Sequence, residues 1–116
     1  MKIMDILFRG YRPKKARDNT YPKKKYRDGK YWISWHAVDQ MNFREVSKGK
    51  VHYNLHTKPL KIDGIKYDKL GRPSYNRHSY NKVTTSINPF TRVVTTVHPT
   101  TTKRFNKMLK NRRKRK

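Results

Sequence analysis

Cysteine is absent from this 116-residue chain. Disulfides and thiolate zinc sites are therefore excluded, and with them the zinc-finger and zinc-ribbon classes of nucleic-acid binder. Acid is nearly as scarce: seven carboxylates, with Glu45 the one glutamate, stand against 31 Lys and Arg. Two-metal nucleases and glycosidases both need converging carboxylates. Asp63 and Asp68 with Lys69 mimic part of a metal-dependent nuclease site, but beside Gly64 they read more simply as turn residues. No Gly-rich phosphate loop is present. Apolar residues make up only 33% of the chain, so the core must be small. No window approaches the roughly 18 apolar residues of a transmembrane helix, and the apolar run in MKIMDILFRGYRPKK is too short for a signal peptide. A soluble, unprocessed chain with no membrane partner is expected.

What is present is positive charge, a formal +24. A small chain so charged repels itself unless a polyanion neutralises it. Phosphate backbones are the commonest such partner, because counterion release favours basic chains. An anionic membrane surface would call for a long amphipathic helix, and none is evident away from the C-terminal end.

The length fits one domain. Residues 10–30 mix Lys, Arg, Pro, Gly and Tyr without periodicity, so 1–30 reads as an extended basic arm, 31–110 as the folded domain and 111–116 (NRRKRK) as a basic tail. Ser34 is a plausible N-cap for a helix carrying Trp35, Val38 and Met41, and Ser47 starts a second that ends at Lys58-Pro59. Short runs around Leu60–Tyr67 and a Gly71-Arg-Pro73 turn follow. Lys82–Ile87 and Arg92–His98 are rich in β-branched residues and read as a hairpin around Asn88-Pro-Phe-Thr91, with Pro99 stopping the second strand. Thr100 or Thr101 caps a C-terminal helix with Phe105, Met108 and Leu109 on one face. The expected class is α+β, with N-terminal helices followed by a small antiparallel sheet and a final helix.

Histidine is the best lead to chemistry. Metal-free RNA cleavage needs a base for the 2′-hydroxyl, an acid for the leaving 5′-oxygen and cations for the charged phosphorane. His36 lies near a helix start, where the dipole favours phosphate, and His98 closes the last strand at the sheet edge beside a threonine run. His52 and His56 stand four apart and share a helix face, as metal ligands do, but no third ligand is near in sequence, so no metal or cofactor is expected. His78 reads as a loop residue touching solvent or phosphate. Tyrosines and tryptophans interleave with the cations, as in base-stacking surfaces, although Trp32 and Trp35 are also wanted for the core. Thr95, Thr96 and Thr100–Thr102 could hydrogen-bond phosphate oxygens, a run that strand propensity and capping also explain. Arg77, Lys82, Arg92 and Lys103 are the further RNA-binding candidates.

The stretch Ser34-Trp-His36-Ala37-Val38-Asp-Gln-Met41-Asn-Phe-Arg44-Glu-Val46-Ser47, followed by Asn88-Pro89-Phe90-Thr91 and Arg92-Val-Val-Thr95-Thr96-Val-His98-Pro99, resembles a pattern in small ribonuclease-toxin domains. These are the barnase-, EndoU-, colicin- and RelE-like ribonucleases of toxin–antitoxin and contact-delivered systems. The resemblance covers roughly residues 31–110 with a diverged middle. It departs at Gln40, where an Arg is common, and in the basic ends. It implies metal-independent RNA cleavage, plausibly of tRNA, in the cytoplasm of the producing or a target cell, and an acidic antitoxin or immunity protein as partner. By position His36 matches the helix histidine, Arg44 the arginine that follows it, and Thr95 or Thr96 the terminal-strand hydroxyl. On this reading His36 and His98 share the base and acid roles, Arg44 and Arg92 stabilise the phosphorane, and Thr96 orients it. A non-catalytic RNA-binding or ribosome-associated protein, or a mobile-element DNA-binding protein, would share the basic composition.

Overall fold

A computed structural model of the chain describes residues 23–114. Two strands come first, β1 (Lys24–Asp28) and β2 (Tyr31–Ser34), followed by helices α1 (Trp35–Phe43) and α2 (Lys48–His56). The short strands β3 (Lys61–Ile62) and β4 (Lys66–Tyr67) lead to β5 (Pro73–His78), β6 (Val83–Ile87) and β7 (Val93–Pro99), and α3 (Thr102–Lys114) ends the described chain. The protein is mixed α/β, with a seven-stranded sheet ordered β1-β2-β7-β6-β5-β3 and β4 also on β5.

Three expectations are corrected here. Helices do not come first, because the β1–β2 hairpin precedes them and joins the sheet through a parallel pairing of β2 with β7 (Trp32↔Val93, Ile33↔Val94). Part of the supposed arm at 1–30 therefore belongs to the folded unit: Lys24–Asp28 form an antiparallel ladder with Tyr31–Ser34, whereas residues 1–22 lie outside the described residues. The basic run at 111–116 is likewise in part helical, since α3 continues to Lys114. Among the described residues no helix is long and apolar enough to cross a membrane.

Local chemistry sets the helix starts. Ser34 and Ser47 sit in extended backbone, and their hydroxyls accept from the amides of Ala37 (3.0 Å) and Lys50 (3.2 Å). Thr101 does the same for the Arg104 amide at 3.3 Å. In the β6–β7 turn, Asn88 Oδ1 accepts from Phe90 (2.9 Å) and Thr91 (3.1 Å), and Arg92 takes the left-handed backbone at φ 59° that closes the loop. Pro99 pairs with Val83 and is the last residue of β7 rather than its stop.

The period-two alternation sends Val83, Thr85 and Ile87 of β6 and Val97 of β7 toward Ala37, Met41, Val51 and Leu55 of the helices. Tyr31 and Ile33 join this core, whereas the two tryptophans do not. A second cluster, Leu60 with Phe105 and Met108, holds α3.

Buried polar groups tie these layers together. Asn54, fully buried on α2, shares the two hydrogens of Nδ2 among the Val83 carbonyl (2.8 Å), the Arg77 carbonyl (3.0 Å) and the Ser79 hydroxyl (3.0 Å), and accepts from the Thr85 hydroxyl at 2.6 Å. His78 is buried rather than in a solvated loop. Its Nε2 donates to the Asp63 carboxylate (2.9 Å), and its Nδ1 meets the Thr84 hydroxyl (2.8 Å), itself 2.6 Å from that of Thr100. Satisfied in this way, such a network fixes one arrangement of α2, β5 and β6.

Asn54→Ala should therefore leave several buried groups without partners, each costing about 1–3 kcal/mol. Urea unfolding is expected to show a loss of about 3 kcal/mol, and a loss below about 1 kcal/mol would mean that Asn54 does not hold the helix to the sheet.

Candidate nucleic-acid cleft

β2 turns into α1 at Ser34, so the strand that flanks β7 stops at the Ile33↔Val94 pair. Beyond it, α1 stands where the next strand would be. Gln40 Oε1 accepts from the Val97 amide at 2.8 Å, and Arg44 Nη1 donates to the Val97 carbonyl at 2.9 Å. These residues are four apart and so lie on one helix face, where they complete the backbone hydrogen bonding of one strand residue. Because Gln40 Oε1 is the acceptor, its Nε2 must donate, and it does so to His36 Nε2 at 3.0 Å. A neutral His36 ring then carries its proton on Nδ1.

That arrangement places His36 at the mouth of a cleft of about 340 Å³. One wall is His36 with Thr95 and Thr96, the floor is Ser86 and Asn88 of the β6 end, and the far wall is Asp68, Arg72 and Ser74. Both threonines reach it because β7 is irregular there: Ser86 pairs with Thr96 but Ile87 with Val94, which leaves Thr95 as an extra residue. Its hydroxyl donates to the Ser86 carbonyl at 3.3 Å. The far wall is a tight turn around Asp68. Its Oδ1 accepts from the Leu70 and Arg72 amides (2.9 Å each), its Oδ2 from Arg72 Nε (2.7 Å), and Gly71 takes φ 76°. Partial desolvation pushes the Asp68 carboxyl up, but the amide bonds and the Arg72 guanidinium outweigh it and hold the group below its ordinary range. The cleft thus offers an imidazole, a guanidinium held by a carboxylate, and several hydroxyls, which together can receive a phosphate diester.

Of the residues singled out in the sequence, His36, Thr95 and Thr96 share this cleft. His98 lies on the same strand face as Thr96, about 7 Å further along, with Nδ1 3.2 Å from the Pro99 carbonyl. It does not stand at an open edge, since β7 is interior to the sheet and α1 covers its flank. Arg44 is committed to Val97, and Arg77 donates to the carbonyls of Asn54 (2.7 Å) and Thr57 (2.6 Å), closing the end of α2. Arg92 is exposed at the hairpin turn. Lys82 extends over the Phe105 ring at 5.4 Å. Lys103 lines a separate groove of about 390 Å³ with Lys61, Arg104 and Lys107.

Gln40, Arg72, Ser74, Ser86 and Asn88 were not singled out as site residues, and Asp68 was weighed as part of a metal-dependent nuclease site but read as a turn residue. The Asp68-Lys-Leu-Gly-Arg72 turn was legible as a turn, but its position across from His36 depends on the β4–β5 pairing. The tryptophans expected in the core instead carry cations: Lys24 Nζ is 5.2 Å from the Trp32 ring, and Lys25 Nζ is 4.0 Å from that of Trp35, which is 48% exposed. Apart from the cleft, Asp28 of the hairpin meets His52 and His56, the third ligand that the sequence pattern lacked.

No family model and no solved structure matches the chain. Over 75 residues it is 28% identical to outer capsid protein VP2 of Bluetongue virus 1 (isolate Australia), a match covering 60% of this chain and 8% of the viral protein.

The acid limb of stability follows from Asp63 and Asp68. Asp63 too is raised by desolvation, but more strongly lowered by its bond to His78 and by the His78 and Lys61 charges. Both folded values lie below the unfolded one, so ionisation favours the fold. That contribution is present above about pH 4 and is lost as pH falls through the folded values. The melting temperature is expected to drop between about pH 5 and pH 2.5. In the Asp63→Asn/Asp68→Asn double variant, which starts lower, the drop should be shallower, and an equal drop in both proteins would rule these groups out.

Proposed function

We propose that the chain is a metal-independent endoribonuclease of the toxin type, cleaving cellular RNA by attack of a ribose 2′-oxygen on the adjacent phosphate. The observation that carries this reading is the convergence of His36, Thr95 and Thr96 with Arg72 and Ser86 on one cleft. The His36 Nε2 lone pair, which accepts from Gln40 in the free protein, takes the proton of the 2′-hydroxyl once substrate displaces the amide. Arg72 faces the developing charge of the phosphorane, and the Thr95, Thr96 and Ser86 hydroxyls orient its oxygens. His98, further along the same strand face, protonates the leaving 5′-oxygen. Arg44 acts as a positioning residue, because with Gln40 it fixes α1, and hence His36, against β7.

The high positive charge, the Lys24–Trp32 and Lys25–Trp35 pairs and the Lys61, Lys103, Arg104 and Lys107 groove would hold the remainder of the RNA. This reading implies an acidic antitoxin or immunity protein that covers the cleft. The same cation–aromatic pairs favour a second reading, a non-catalytic RNA-binding or ribosome-associated protein. The short match to a viral capsid protein covers too little of that protein to carry its role over.

Incubating the purified chain with RNA in EDTA separates the two readings. The expected result is cleavage leaving 2′,3′-cyclic phosphate ends, with His36→Ala lowering the rate by about 10²–10⁴-fold while RNA binding persists. Intact RNA, or full activity in His36→Ala, would contradict the catalytic reading.

A further inference from the structure

The carboxylate that meets His52 and His56 comes from a different part of the chain. Asp28 ends β1, and its Oδ1 lies 2.9 Å from His52 Nδ1 and 2.9 Å from His56 Nε2. All three candidate ligand atoms fall within 4.8 Å of one another. The carboxylate is sheltered, its side chain 13% exposed, whereas His56 is 32% and His52 62% exposed, so the group opens to solvent on the His52 side. The two rings stand 4.4 Å apart, and the Tyr31 ring meets His56 edge-on at 6.0 Å.

Gly29 makes this approach possible. It takes φ +62°, and a Cβ at that position would lie 2.6 Å from His56 Cε1. The left-handed backbone favours glycine at the hairpin turn, and the missing side chain leaves room for the His56 ring beside Asp28.

We propose that Asp28, His52 and His56 form a binding site for Zn²⁺ that pins the β1–β2 hairpin to α2. The donor set is two imidazole nitrogens and one carboxylate oxygen, a combination that Zn²⁺ accepts with a fourth position left for water. Mg²⁺ and Ca²⁺ would want oxygen ligands in larger number. Zinc bonded at about 2.0–2.2 Å in a tetrahedron holds its ligands roughly 3.3 Å apart, so the 2.9 Å contacts need to open by only a few tenths of an ångström. Binding exchanges the N–H bonds to Asp28 for metal bonds: each imidazole releases the proton of the nitrogen that faces Asp28 and, as a neutral ligand, carries its one proton on the other nitrogen. The site shares no residue with the His36 cleft, so metal and cleavage are separable.

The full chain is titrated with CoCl₂ as a spectroscopic probe. One Co²⁺ per chain is expected to bind with the visible absorption of a four- or five-coordinate ion, to be displaced by Zn²⁺, and Zn²⁺ should raise the melting temperature. Asp28→Asn, His52→Gln and His56→Gln should each weaken binding at least about tenfold, Gly29→Ala should weaken it by displacing the His56 ring, and His36→Gln should not. Far-UV circular dichroism checks the fold of each variant. If a buried substitution unfolds the chain, His52→Gln, at the most exposed ligand, decides the matter. The weak spectrum of a six-coordinate ion, or undiminished binding in His52→Gln, would overturn the proposal.

Discussion

The backbone of Val97 is the point on which the rest of the structure turns. β7 loses β2 as a neighbour after Val94, while keeping β6 on its other side, because the chain leaves β2 to form α1. A strand edge left bare exposes unpaired N–H and C=O groups, and the side chains of Gln40 and Arg44 fill that need from a helix. The substitution has a geometric consequence. Fixing Gln40 by its oxygen commits its nitrogen to His36, so the bond that completes the sheet also orients the imidazole. Structure and the proposed chemistry thus depend on the same amide, and Arg44 serves the site through position rather than by touching substrate.

The same economy explains how so small an apolar fraction makes a stable layer. The helix-facing side of the sheet is aliphatic and threonine, and its junctions are made by hydrogen-bonded polar side chains: Asn54 between α2 and the β5–β6 region, Arg77 at the end of α2, and Asp63–His78–Thr84–Thr100 beside α3. With few apolar residues available, hydrogen bonding inside the fold supplements packing, and one of these networks rests on the Asp63 carboxylate. The outward charge has another role. On the proposed reading, an RNA phosphate chain would neutralise it and relieve the repulsion that this composition builds in.

Much of this was legible in residues whose effect is local. Ser34, Ser47 and Thr101 cap helices because a hydroxyl at that position has one job, and the β-branched runs of β6 and β7 could form little else. The hairpin at Lys24–Ser34 was hidden by its lysines and by tryptophans that suggested a core, whereas the rings lie outward beneath cations. β5 was hidden because Pro73–His78 is polar on both faces, one reaching α2 through Arg77 and the other Asp63 through His78. His36 was singled out as a histidine near a helix start, and Thr95 and Thr96 as part of a threonine run, with positions that the resemblance to ribonuclease-toxin domains also implies. Arg72 and Ser86 were not, since only long-range pairing of β4, β5 and β6 carries them to the cleft.

The central claim is that the His36 cleft receives an RNA phosphate. An NMR titration of the labelled chain with a nucleoside 3′-monophosphate, in EDTA, reads this residue by residue. Shifts are predicted for the His36 ring, the Ser86, Thr95 and Thr96 amides and the Arg72 Nε–H. Shifts confined to the α3 groove at Lys103 and Lys107, with the His36 ring unmoved, would contradict the account.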